Sequence, residues 1–256
     1  MKKPIVQVEH VDLIYQEREQ ETLAVQDLSF SVDEGEFISI VGPSGCGKTS
    51  VLSLLMGLLT PTSGRVLLMG QAAGVRQSVG YMLQRDHLLD WRSVEDNVLL
   101  GLEVKRLLTP ERRRHALELL ERYGLGAFRR HYPRALSGGM RQKVALIRTL
   151  AFDPQLLLLD EPFSALDYQT RLRVADEVYG IIKSEHKTAI LVTHDISEAV
   201  SLSDRVLVFS DRPAHLKSER SICFNAGDSP LARRNDPRFA GYFNTIWKEL
   251  TDHGRS

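Results

Sequence analysis

The 256-residue chain balances 33 Lys and Arg against 33 Asp and Glu and is 43% hydrophobic, so it can bury the core of one large domain or of a domain with a substantial insertion. Zero net charge offers no overall field for nucleic acid or an acidic partner, so any basic surface must be local. Cys46 and Cys223 make no spaced metal set and suit a reducing cytoplasm, the first residues meet charge too early for a signal-peptide core, and the longest uncharged stretch, residues 49–64, falls short of the roughly 20 apolar residues of a membrane span.

Residues 5–8 and 37–41 read as short strands, the second an apolar run that ends at Gly42, as a buried strand does where it feeds a phosphate-binding loop. A helix is expected to begin at Lys48 and carry Val51, Leu52, Leu54, Leu55 and Met56 to a stop near Gly57. The turn signal of residues 60–64 follows, and then a strand at 65–69. From about residue 85 to 150 the pattern becomes helical, with Leu117, Leu120 and Tyr123 on one face. Strands return at 156–159, 189–193 and 205–209, with a helix carrying Leu172, Ala175, Val178 and Ile182 between the first two. Strands alternating with helices imply a mostly parallel sheet. A last strand is expected near 221–224 and a last helix near 237–250.

Three motifs carry chemistry. Gly42-Pro43-Ser44-Gly45-Cys46-Gly47-Lys48-Thr49 matches G-x-x-x-x-G-K-T between strand and helix. Its backbone N–H groups would curl around phosphate oxygens at a helix N-terminus, Lys48 would reach the β- and γ-phosphates, and the Thr49 hydroxyl would ligate Mg²⁺. Four leucines then deliver Asp160 and Glu161 to a strand end, the first suited to the Mg²⁺ side and the second to a general base that polarises water. The alternative for this pair is a strand end re-entering solvent. Third, Leu136-Ser137-Gly138-Gly139 precedes an amphipathic run with Val144, Ile147 and Leu150. Taken alone it reads more readily as an ordinary helix cap than as an anion site.

Together, in this order, the motifs resemble the ATP-binding subunits of ABC transporters, whose signature is Leu-Ser-Gly-Gly between the phosphate loop and the Asp-Glu strand. The resemblance runs over nearly the whole chain. It implies an α/β P-loop NTPase with a RecA-like core, an antiparallel β subdomain and an inserted α-helical subdomain. Residues 1–210 would form a single ATPase domain, with 1–85 and 151–210 as core and 86–150 as the helical subdomain. Residues 211–256 would be a tail packed on it. By the same resemblance Tyr15 stacks on adenine, Ser50 joins the phosphate loop, Gln84 lies near Mg²⁺ and the lytic water, residues 164–167 form the D-loop, and His194 contacts the γ-phosphate. A partly buried strand tyrosine and a structural histidine remain the alternatives for Tyr15 and His194.

The family's arrangement implies that Ser137, Gly138 and Gly139 complete the nucleotide site of a second ATP-binding subunit, so that two ATP molecules are sandwiched in a dimer. With no span of its own, such a chain would sit on the cytoplasmic face of the membrane and work with two permease subunits and a solute-binding protein. The segment between Gln84 and Val98 is similar to that of the nitrate, sulfonate, taurine and bicarbonate importer branch, with Asp90 where that branch commonly has proline. There it receives a helix of the permease, which makes Leu88, Leu89 and Trp91 candidate contacts; local core is the alternative. The residues around Tyr242 and Trp247 also look like that branch's final helix. A soluble ATPase of the same family acting on nucleic acid or ribosomes is the competing class, yet the long coiled coils or tandem units usual there are missing and no nucleic-acid partner is expected. Residues 105–134 hold nine Lys or Arg against three Glu, a basic stretch that suits lipid headgroups or simply a solvated helix surface.

Overall fold

A computed structural model describes residues 4–17, 20–73, 79–225 and 227–252. The first two strands, β1 (Pro4–Glu17) and β2 (Gln20–Asp33), run antiparallel over most of their length. Then come β3 (Phe37–Val41), α1 (Lys48–Leu55), β4 (Ser63–Leu68), β5 (Gln71–Ala72) and β6 (Val79–Met82). The helices α2 (Val94–Val104), α3 (Pro110–Arg122) and α4 (Gly138–Leu150) follow, with short 3-10 turns at Gly126–Phe128 and Pro133–Ala135. The chain continues through β7 (Leu156–Asp160), α5 (Tyr168–Ser184), β8 (Thr188–Val192), α6 (Ile196–Leu202), β9 (Arg205–Phe209) and β10 (Leu216–Ser221), and ends on α7 (Pro230–Arg234) and α8 (Arg238–Thr251).

Two sheets result. One is antiparallel, in the order β2-β1-β4-β5; the other has the order β10-β9-β3-β8-β7-β6 and is parallel except for β10. The parallel strands read as unbroken apolar runs because both of their faces are covered. Along β7, Leu156 and Leu158 enter the core shared with the antiparallel sheet and α1, while Leu157 and Leu159 face the core shared with α2 to α5. That alternation is the period of two of a strand, with apolar side chains on each side. The helical region expected over 86–150 is present. Ser93, Thr109 and Ser137 cap α2, α3 and α4 with their side-chain oxygens, each accepting a backbone N–H of the first turn.

Three expectations need correction. The strand expected near 221–224 is β10, at Leu216–Ser221. It is an edge strand whose sequence Leu-Lys-Ser-Glu-Arg-Ser lacks an apolar run, whereas the apolar residues that follow pack instead of pairing: Ile222 is buried in a cluster with α6 and Ile246 of α8. Leu88 is a core residue buried with Val94 and Val98 of α2, so its side chain is not available to a partner. Residues 5–8 prove to be only the start of β1, which together with β2 builds most of the antiparallel sheet.

Because β3, β6, β7 and β8 are parallel, their C-terminal ends meet at one edge, where open α/β sheets gather their functional loops. That edge receives residues 42–49 after β3, Gln84 after β6, Asp160 and Glu161 at the end of β7, and His194 after β8.

Candidate functional site

The loop after β3 wraps the first turn of α1. Gly47 has φ of 123°, a conformation L side chains rarely adopt, and a Cβ there would lie 2.9 Å from the carbonyl oxygen of Ala24. Gly45, also at positive φ, meets nothing within 4 Å, so its role is conformational. The Lys48 ammonium, on a buried side chain, donates to the carbonyl oxygens of Gly42 and Pro43, each at 2.7 Å. Cys46 is buried beneath the loop, and burial pushes its thiol pKa up. Ser44, Gly45, Gly47, Lys48, Thr49 and Ser50 line a cleft of about 250 Å³ whose far wall is Glu161 and Val192. Tyr15, near the end of β1, shares a 3.0 Å hydrogen bond between its hydroxyl and that of Ser50, which brings the aromatic ring to the same loop.

Opposite the loop, four side chains converge. Glu161 leaves β7 with φ of 45°, a left-handed backbone held by its N–H donating to the carbonyl of Val192 at 2.9 Å. Such strain in a non-glycine residue costs on the order of 1 kcal/mol and concentrates at functional sites. Its Oε2 lies 3.1 Å from Nδ1 of His194 and accepts from Nε2 of Gln84 at 3.4 Å. Gln84 Nε2 also donates to the Ser164 hydroxyl at 3.3 Å, and that hydroxyl donates to the Glu161 carbonyl at 3.0 Å. Ser164 is therefore a member of the cluster that its sequence position suggested only as part of a loop.

Asp160 accepts a hydrogen bond from the Tyr81 hydroxyl at 2.9 Å. Burial raises the Asp160 pKa against the pull of that bond and of the Lys48 charge, and burial together with Asp160 pushes the Tyr81 phenol upward. Tyr81, on β6, was not singled out from the sequence, where one tyrosine in an apolar strand carries no signal.

The residues present suit Mg²⁺. The Thr49 hydroxyl, the Asp160 carboxylate and the Gln84 amide are hard oxygen donors, of the kind that this ion takes in small number beside phosphate and water. Among the described residues no group of three or more His, Cys, Asp or Glu is placed to hold a metal ion.

The Ser137-Gly138-Gly139 segment lies elsewhere. The Ser137 hydroxyl accepts the Met140 N–H at 3.3 Å, and a Cβ on Gly139 would lie 2.7 Å from Cγ2 of Val174, so α4 approaches α5 as closely as glycine permits. These residues line a second cleft of about 560 Å³ with Leu166, Asp167 and Thr170. The two clefts share no lining residue.

The family model described as ABC transporter matches residues 25–164, more than half of the chain. The chain belongs to the ABC transporter ATP-binding family. It is 48% identical over 245 residues to an uncharacterised ABC transporter ATP-binding protein of Bacillus subtilis, spanning 95% of this chain and 94% of that one. It is 40% identical to a taurine import ATP-binding protein of Yersinia pestis, over 84% of this chain and 87% of the relative. Among solved structures it is similar to the dimeric post-hydrolysis state of the ATP-binding cassette MJ0796 bound to ADP and Pi, with a TM-score of 0.72 at 30% identity, covering 86% of this chain and 100% of that one. This ABC subunit thus has the RecA-like core, antiparallel sheet and helical subdomain of the family, and it binds and hydrolyses ATP.

The segment after Gln84 is fastened to the signature helix of the ABC fold. Asp86 accepts two bonds from the Arg141 guanidinium, at 2.9 and 3.0 Å, and Arg148 donates to the carbonyls of Asp86 and His87. Burial alone would raise the Asp86 pKa, but the Arg141 bonds, the Leu88 N–H and both arginine charges outweigh it and hold it below the usual range. Beyond this anchor Trp91 stands 75% exposed. No helix among the described residues is long and apolar enough to cross a membrane.

Proposed function

We propose that this ABC subunit powers import of a small, anionic or organic solute such as a sulfonate, taurine or nitrate, by closing on a second copy of itself around two ATP molecules. The separation of the two clefts within one chain carries the dimer reading. Ser137, Gly138 and Gly139 border a cleft that lacks a phosphate loop, while the phosphate loop borders a cleft that lacks a second glycine-rich helix start. Each is completed by the other across a pair of chains, and the cassette of similar fold is dimeric.

In this reading Lys48 and the backbone N–H groups of residues 42–49 hold the phosphates, Ser50 helps to close the loop, and Tyr15 stacks on the adenine. Thr49, Asp160 and Gln84 would hold Mg²⁺, which when bound would neutralise phosphate charge. Glu161 polarises the attacking water, with Gln84 and His194 flanking the same carboxylate oxygen and fixing its direction. Loss of the γ-phosphate then removes the contact that joins the two halves, as in other γ-phosphate switches.

The exposed Trp91, five residues beyond the Asp86 anchor, supports docking of two permease subunits on this face, with a solute-binding protein delivering cargo. The subunit would then sit peripherally on the cytoplasmic side of the membrane. The import reading rests on the relatives described as importing taurine and aliphatic sulfonates. Its test is Trp91→Ala in cells that carry the permease. The variant is expected to keep its ATPase activity in solution and to leave the membrane fraction; unchanged membrane association would remove Trp91 from the docking face.

A further inference from the structure

We propose that Arg171 is a positioning residue that clamps the loop of residues 164–167 to the segment bearing His194, so that hydrolysis in one site responds to the cleft that serves the other. This rests on the reading of His194 given above. Arg171 lies on α5, one turn beyond the Asp167 cap, and its side chain is 24% exposed. Its Nη2 donates to the Leu166 carbonyl at 3.1 Å, its Nη1 lies 3.6 Å from Asp195 Oδ2, and its Nε lies 3.9 Å from Glu198 Oε1. One guanidinium thus joins two chain segments that are distant in sequence, by a hydrogen bond to the first and by charge attraction at 3.6 and 3.9 Å to the second, its buried Nε making no hydrogen bond.

Each end of the clamp leads to a nucleotide cleft. On one side, the Leu166 side chain packs against Gly138, where an added Cβ would lie 3.1 Å from Cδ2 of Leu166, and both residues line the signature cleft. On the other, both neighbours of His194 are pinned. The Thr193 hydroxyl donates to Glu198 Oε2 at 2.7 Å and accepts the Asp195 N–H at 3.0 Å, and Asp195 Oδ1 accepts the N–H groups of Ser197 and Glu198. His194 is left as the exposed residue between two anchored ones, with its Nδ1 on Glu161. A shift of the 164–167 loop, when a nucleotide meets Gly138, reaches His194 through Arg171 and the Asp195 and Glu198 carboxylates.

The experiment compares Arg171→Met and Arg171→Lys, each alone and combined with His194→Ala, by steady-state ATPase and single-turnover hydrolysis, with nucleotide affinity measured separately. For Arg171→Met the expected result is a kcat about 10- to 100-fold lower, as for other misplaced catalytic groups. Nucleotide affinity should stay within about twofold, and the Hill coefficient for ATP should fall to about one. Lys, a single point donor, should recover part of the rate, and in the His194→Ala background neither substitution should reduce single-turnover hydrolysis further. Wild-type kcat and Hill coefficient in Arg171→Met, or losses that multiply with that of His194→Ala, would overturn the clamp. Should Arg171→Met fail to fold, Arg171→Lys alone decides on the same readouts. Full turnover by His194→Ala would sink the His194 reading itself, and the clamp would then be judged by the Hill coefficient.

Discussion

At the scale of single residues, the phosphate loop depends on backbone conformation as much as on side chains. Lys48 is buried and already satisfied by two carbonyls, so its ammonium is held over the loop rather than swinging in solvent. Gly47 permits this, since its φ of 123° and the nearby Ala24 carbonyl leave no place for a Cβ. Gly47→Ala is therefore expected to cost about 1–3 kcal/mol of stability through backbone strain and to weaken ATP binding at the same time. Thermal unfolding with and without nucleotide checks both, and an unchanged midpoint with unchanged nucleotide stabilisation would contradict it. Glu161 shows the opposite case, a non-glycine residue kept at positive φ by its bond to Val192 because its carboxylate has to meet Gln84 and His194.

At the scale of elements, the Asp86 anchor joins the segment after β6 to α4, and its contribution to stability depends on pH. The Asp86 pKa is lowered in the fold, so the stabilisation is fully present above the ordinary aspartate value near 3.9 and is lost as pH falls through the lower folded value. Asp86→Asn is expected to destabilise the protein by about 1–2 kcal/mol at pH 7, discounted for partial exposure, with the gap to wild type closing in acid. A gap that stays constant from pH 7 to pH 3, measured by urea unfolding, would show that the charge is not the cause. Strands β3, β7 and β8 were legible in the sequence because each is an apolar run of four or five residues that leads into a motif residue, at Gly42, Asp160 and His194. The long β1–β2 pair was not, since its register shifts and the left-handed residues His10 and Asp27 break the alternation of apolar side chains. β10 escaped for a related reason, being a polar edge strand beside the apolar Ile222. Leu88 shows the remaining gap, because proximity to a motif does not tell a buried leucine from an exposed tryptophan three residues on.

At the scale of the whole molecule, the proposed pairing of two chains lets motifs almost 100 residues apart serve one reaction without touching within either chain. The sequence order named the phosphate loop, the carboxylate pair and the glycine-rich cap; the fold places the phosphate loop and Glu161 across a single cleft and the glycine-rich cap in another. What the sequence left open was the linkage between them, since Ser164, Arg141 and Arg171 take their meaning only from the surfaces that the sheet edge brings together. The proposed function requires a dimer that ATP closes and hydrolysis opens. Glu161→Gln keeps the shape of the side chain and removes its ability to take a proton, so it separates closure from chemistry. Sedimentation of this variant with and without ATP and Mg²⁺ is the most direct measurement: a monomer that becomes a stable dimer holding unhydrolysed ATP is expected, and a variant that remains monomeric at saturating ATP, or that hydrolyses it at the wild-type rate, would contradict the account.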